Sequence, residues 1–411
     1  MRALVRPLAA RYYYGWVMLV AVSATEVVSW GILYYAFAVF VAPMQAALGW
    51  SQVAIGGAFS LALLCSGLAA VPLGRWLDRH GPRASMTAGS VLGSLLLVAW
   101  SSVQSLWAFY LILAGMGVAM AAVLYEPAFA IVATWFRRQR GRALTVLTFC
   151  GAWASFLFIP LSAWLVQALG WRQALLALAG ILAAATIPPH LILLRRRPQD
   201  LGQLPDGAPA EGAAPHAAAP AERGVLARDA LREPGFWWLS LAFAVSTFAS
   251  VALTMHLIPY LVARGHSQGF AATVAGLFGL MSLAGRLLLG PLGDRYPRRW
   301  VTAGLMAMQL AGLAVLALAP TALGALVYVA LFGAGTGTMT IMRAALLAER
   351  YGAASYGSIS GAQSAVLAAA RTLAPLGASL LASLPAGYPA LLWTLAGLSA
   401  AGLVALLQVK T

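Results

Sequence analysis

The sequence predicts an all-α integral membrane protein with twelve transmembrane helices in two pseudo-symmetric six-helix bundles. Three observations lead there. Of 411 residues, 62% are hydrophobic and 9% charged, whereas a soluble domain devotes about 25% to charge. Apolar runs recur from end to end, most of about 20 residues or more, enough at ~1.5 Å per residue to cross ~30 Å of hydrocarbon. Finally, "GRWLDRHGPR" (74–83), after the second run, matches "GPLGDRYPRR" (290–299), after the eighth, as a duplicated unit would require.

In the first half the predicted spans cover about 14–42, 51–74, 84–101, 106–134, 143–168 and 173–194. In the second they cover about 235–262, 270–291, 301–319, 323–347, 355–380 and 388–408. No secretory cleavage site follows the first run, which is read as a retained helix. The domain organisation is therefore an N-terminal bundle over 1–194, a linker over 195–234 and a C-terminal bundle over 235–411. The linker's first part is rich in Pro, Ala and Gly and has little to bury, so it is expected to be flexible. Its end, "VLARDALREP", has the pattern of a short amphipathic helix.

The net charge of +15 lies in short connections between apolar runs, which points to topology rather than nucleic acid. With the N-terminus inside, that side collects 21 basic residues and the other only Arg172 and Arg264, the remaining three lying within spans. Both termini are expected in the cytoplasm, in a bacterial-type plasma (inner) membrane. Cys65 and Cys150 fall in apolar runs and form neither a disulfide framework nor a metal motif. The glycine pairs of "GSVLGS" and "LAGMGVAM" suit close helix contact and lack the lysine of a phosphate loop. No nucleophile triad or cofactor loop is present, so no cofactor and no enzyme activity are expected.

In both repeated turns an aspartate, Asp78 or Asp294, sits among arginines at the membrane boundary. Its carboxylate can pair with Arg79, Arg83 or Arg295, or cap a neighbouring helix, and such a latch would hold one conformational state. A second repeat aligns 113–136 with 331–354, placing Arg343 opposite Tyr125. Arg343 is near the inner end of its span, so snorkelling, or pairing with Glu349, competes with substrate contact.

The paired "GxxxDRxGxR"-like turns resemble the signature of the major facilitator superfamily, across the whole length apart from the linker. The second copy departs in having Tyr296–Pro297. Within it, "YYYGWVMLVAV", "GILYYAFAVFVAPMQAALGWSQ", "MHLIPYLVARG" and "GRLLLGPLGDR" resemble the monocarboxylate and oxalate/formate transporter group. The resemblance implies alternating access around a central site and assigns carboxylate binding to Arg286. It also makes Arg371 an analogue of the span-eleven cation of oxalate carriers. Ser282 and Tyr34 stand where animal members have an aspartate and a lysine, so proton coupling by that pair does not carry over.

Read from the residues alone, Arg286 presents a guanidinium fork suited to a carboxylate but lies near enough to its span's inner end to snorkel. Arg371 is deeper, and either pairs with an acid or lines the cavity, since a charge in a membrane helix costs at least ~2.5 kcal/mol. Glu26 and Glu126 are the acids within spans, and with His256 they are the proton-coupling candidates. Tyr34, Tyr35, Tyr125, Trp153 and Phe278, again with His256, could wall a compact substrate cavity, although each alone also suits helix packing. The expected function is secondary transport of a small organic anion, a monocarboxylate with proton symport, by a protein working as a monomer in the bilayer. Oxalate-like dicarboxylate exchange and efflux of hydrophobic compounds are the alternatives, and a non-transporting membrane sensor is a third class.

Overall fold

The computed structural model describes residues 13–207, 225–385 and 387–409. The expected inner positives Arg2, Arg6, Arg11, Arg223 and Lys410 lie outside the described residues. Those described contain helices and irregular segments and no strand. Among the described residues twelve helices are long and apolar enough to cross a membrane: Tyr14–Leu48, Val53–His80, Pro82–Ser101, Leu106–Trp135, Arg140–Leu169, Trp171–Leu193, Pro234–Ala263, Gly269–Arg295, Arg298–Leu318, Ala322–Tyr351, Tyr356–Ala382 and Gly387–Gln408. They are numbered as spans one to twelve below. Large apolar side chains such as Leu111, Leu288 and Leu318 are exposed on them, as lipid-facing surface requires.

Local chemistry sets where the helices begin and end. Ser51, Ser105, Ser267 and Thr321 each accept an N–H from the first turn of spans two, four, eight and ten, satisfying a donor that has no partner within the helix. The first pair of caps recurs in the second with the spacing that separates Asp78 from Asp294, so the duplication extends to the helix starts. Span two outruns its apolar stretch to His80 because nothing breaks it before Gly81, whose φ of +83° suits glycine. Pro82 then opens span three where its missing N–H costs nothing.

Four spans are irregular, span eight being interrupted by a turn at 289–291 between the helices Gln268–Leu288 and Leu292–Arg295. Span one contains a π-helical turn at Gly31–Tyr35 and span ten one at Val329–Gly333; such turns recur at functional sites. Span four is broken at Leu124, whose extended backbone separates the helix Leu106–Val123 from Tyr125–Trp135. Pro127 cannot donate to the carbonyl of Val123, which is why the chain breaks there. Non-helical backbone at membrane depth persists where protein or a polar cavity surrounds it.

The chain forms two compact units. The first comprises residues 1–227 and 351–365. Its core gathers Phe40, Met44, Trp100, Phe109, Met116 and Leu178. The second comprises residues 228–350 and 366–411, around Leu253, Tyr260, Tyr328, Phe332 and Leu395. The opening turns of span eleven thus belong to the first unit. Gly74 and Gly361 explain how: a Cβ on either would collide with the backbone of Gly357 or Ala70 respectively, so span two and the start of span eleven meet backbone to backbone.

The first part of the linker is ordered in the described residues, contrary to expectation. Residues Pro198–Leu201 and Pro205–Gly207 form 3₁₀ turns, and Pro198 is buried. Asp206, at φ +62°, accepts the backbone N–H groups of Arg137 and Arg138 at 3.0 and 2.7 Å. Gln203 accepts the N–H of Tyr14 at 3.0 Å. Asp206 meets donors in the loop after span four and Gln203 one at the start of span one, which composition does not reveal. Residues 208–224 lie outside the described residues. The expected helix near the linker's end is present as Ala227–Arg232.

Candidate functional site

In the first unit the irregular turns of spans one and four carry a polar and aromatic cluster. Glu26 is fully buried, and neither carboxyl oxygen has a hydrogen bond of standard geometry. Trp30 lies one turn further along span one, and its indole N–H is likewise buried without a hydrogen-bond partner. Glu126 lies in the first turn after the break in span four, where the N-terminal end of a helix favours negative charge, and it accepts the Ser360 hydroxyl. Gln363, one turn further along span eleven, is fully buried with both side-chain polar atoms unpartnered. Unsatisfied buried polar groups are costly, so Glu26 and Gln363 each stand out against the apolar interior around them.

The rings expected to wall a cavity sort themselves. Trp30 contacts Tyr34, Tyr35 and Tyr125, with centroids 5.2, 6.2 and 4.9 Å away, so the three tyrosines do come together. Tyr125 stacks on Phe129 at 5.1 Å. Trp153 instead neighbours Phe149 and Phe156 on an exposed face of span five. Phe278, in the second unit, packs on Phe332 at the edge of the core.

The second unit holds the membrane-embedded cations. Arg286 is half-buried, and its Nε donates to the Gly337 carbonyl at 3.3 Å. Spans eight and ten can approach this closely because Gly285 and Gly337 have no Cβ; one added there would strike the backbone of Ala334 or Ser282. Beside Gly337, Thr336 joins a chain of polar groups. Gln309 donates to it at 2.9 Å and accepts from Ser246 at 2.9 Å, and Ser250 lies 3.4 Å from it. Arg343 is 6% exposed, too buried to snorkel, and Glu349 is bonded to Arg298 at 3.0 Å. Arg371 is exposed on span eleven. His256 has one ring nitrogen 3.4 Å from the Ser379 hydroxyl and the other buried without a partner.

The two repeated aspartates differ. Asp78 accepts the N–H groups of Gly357 and Ser358 at 2.7 and 2.8 Å and the Ser358 hydroxyl at 2.6 Å, capping span eleven. Asp294 pairs with Arg298 at 3.6 Å. Arg79 and Arg295 are exposed, and Arg83 is half-buried.

Sequence reasoning missed several participants. Ser358, Ser360 and Gln363 carry no charge, and Gln309 stands alone in an apolar run. His190, fully buried, bonds Ser90 and Thr25 at 3.0 Å each and so ties spans one, three and six. Arg140 donates to the Phe136 and Ala133 carbonyls at 3.1 and 2.9 Å, closing the end of span four. Among the described residues no group of His, Cys, Asp and Glu could hold a metal ion.

The model of the Major Facilitator Superfamily matches residues 22–375 and 257–410. The chain belongs to this superfamily. It is 28% identical over 332 residues to an MFS-type transporter of Gibberella moniliformis, covering 77% of this chain and 72% of that one. It is 25% identical over 344 residues to monocarboxylate transporter 13 of Bos taurus, covering 82% and 76%. Among solved structures it resembles the E. coli fucose:proton symporter FucP, with TM-score 0.74 at 14% identity over 97% of this chain and 100% of that one. It also resembles a bacterial homologue of the iron transporter ferroportin in an outward-facing state, with TM-score 0.73 at 13% identity over 95% and 98%. The superfamily fold is two six-helix bundles crossing the bilayer, and its members carry small molecules rather than act as enzymes. This major facilitator protein is accordingly a multi-pass membrane transporter.

Proposed function

We propose that this transporter carries a small organic anion, a monocarboxylate, together with a proton. The observation that carries the reading is Arg286, a cation on a membrane helix whose Nε donates to the Gly337 carbonyl and whose planar guanidinium has the shape that matches a carboxylate. The monocarboxylate transporters among its relatives point the same way. Glu26 and Glu126 are the proton carriers in this reading, with His256 a further exchanger. Tyr34, Tyr35 and Tyr125 shape the path, and the Asp78 cap on span eleven is a latch that opens during the cycle. Residues 1–194 and 235–411 act as the two bundles of a monomer in a bacterial-type inner membrane, both termini in the cytoplasm on the side richest in arginine.

Exposed Arg371 favours a second reading, exchange of an oxalate-like dianion needing two cations and no proton. The experiment is uptake and exchange in proteoliposomes across short mono- and dicarboxylates, with and without a proton gradient. Gradient-driven monocarboxylate uptake lost in Arg286→Gln is expected. Exchange of dianions indifferent to the gradient and lost in Arg371→Gln would replace the first reading with the second, and carboxylate transport unchanged in Arg286→Gln would end both.

A further inference from the structure

A cavity of about 420 Å³ opens in the first unit on the face that carries the linker, within the ~300–1,000 Å³ usual for small-molecule sites. Four segments wall it: the end of span two with Leu77, Asp78 and Gly81, the end of span four through Arg137, the linker from Arg196 to Pro205, and Ala353 to Tyr356 at the start of span eleven. The ordered linker is what closes it. Gly81 admits that wall, since a Cβ there would press on the Arg196 side chain at 2.8 Å.

The lining sets three arginines against two aspartates, Asp78 and Asp200. Arg137, Arg196 and Arg197 project from two separate segments, and exposed Gln199 adds an amide donor. The acids of the wall have other work. The Asp78 carboxylate is taken up by Gly357 and Ser358, and Asp200 accepts the Arg197 backbone N–H at 3.2 Å. The hydroxyl of Thr134 donates back to Ala130 at 2.8 Å, and Nη2 of Arg196 donates to the Asp78 backbone carbonyl at 3.2 Å, which ties the linker to the end of span two at the cavity wall. An excess of guanidinium groups over carboxylates in one cavity lining suits the oxygens of a phosphate group better than a neutral ligand.

We propose that this cavity is a binding site for a phosphate-bearing anion, separate from the carboxylate path assigned to Arg286 and independent of that assignment. A guest there bridges the linker to the ends of spans two and four and to the start of span eleven, so it stabilises the arrangement in which these segments meet. The phosphate belongs either to a free anion or to the headgroup of an acidic lipid.

The test uses the full chain in nanodiscs of phosphatidylcholine, titrated with inorganic pyrophosphate while the unfolding temperature is followed, against sodium chloride at matched ionic strength. A second arm replaces the titrant by phosphatidylglycerol in the disc. A saturable rise in unfolding temperature with pyrophosphate is expected, weakened about tenfold or more by Arg196→Gln/Arg197→Gln. Gln199→Glu, at an exposed position that removes no contact, should weaken it likewise, whereas Arg232→Gln, an equal loss of charge on the exposed face of another helix, should not. Protection by phosphatidylglycerol alone, lost in the same variants, would assign the phosphate to lipid. Protection no greater than that of chloride in both arms, or equal in wild type and Gln199→Glu, would overturn the site.

Discussion

The carboxylate of Asp78 caps the start of span eleven, receiving the Ser358 backbone N–H at 2.8 Å and its hydroxyl at 2.6 Å. With the Gly357 N–H it accepts three hydrogen bonds, more than the neutral amide of asparagine can accept with its single oxygen. Asp78→Asn should therefore lower stability by about 1–2 kcal/mol, the cost of a lost helix cap, and slow transport if the cap is the latch proposed above. Ser358→Ala removes one bond of the three and should do less. Thermal unfolding and initial uptake rates of both variants decide the order, and equal effects would deny the carboxylate its capping role.

Gly337 sets how near Arg286 lies to span ten. Gly337→Ala drives a Cβ into the Ser282 carbonyl, and overpacking of this kind costs about 1–3 kcal/mol. The expected outcome is a lower unfolding temperature together with weakened carboxylate uptake. Gly276→Ala, in span eight with nothing within 4 Å of the new methyl, should be neutral or slightly stabilising because alanine favours helix.

For Arg286 itself, charge and shape separate. Arg286→Gln should lower carboxylate uptake by about tenfold to a hundredfold, the worth of a charged hydrogen bond. Arg286→Lys keeps the charge and loses the fork, so it should fall between. Competition by carboxylates of graded length measures both. A lysine variant no better than glutamine would mean that geometry, not charge, is what the substrate meets.

The pair Glu26 and Glu126 predicts a split between coupling and movement. Glu126→Gln should abolish accumulation driven by a proton gradient while preserving exchange of substrate across the membrane, because the amide cannot carry the proton but still accepts from Ser360. Glu26→Gln should behave alike, and proton flux recorded with a pH-sensitive dye alongside uptake tests it. Coupling retained in both variants would move the proton to His256 or remove it from the cycle.

Span positions were legible because the bilayer imposes one length and one composition on every crossing, and the recurrence of "DR" turns marked the duplication. Asp78 was visible as a capping or pairing acid. Its partner was not, since Ser358 lies 280 positions away and nothing in a serine announces that a carboxylate will reach it. The linker misled for a related reason. Its composition predicts little burial, yet Asp206 and Gln203 needed only backbone donors at the right place to hold it down. Likewise Trp153 and Tyr125 look equally suited to a cavity wall as residues, and only helix rotation sends one to an exposed face and the other to Trp30.

What the sequence determined by itself was the number of crossings, their duplication, the skewed charge of the two faces and the few ionisable groups placed within spans. These follow from the one-dimensional cost of putting polar atoms in hydrocarbon. The tertiary structure alone decided which partners these groups meet: Glu126 with Ser360, Arg286 with Gly337, Asp78 with Ser358. Such meetings depend on the rotation and close approach of helices, and these are set by packing between residues far apart in the chain.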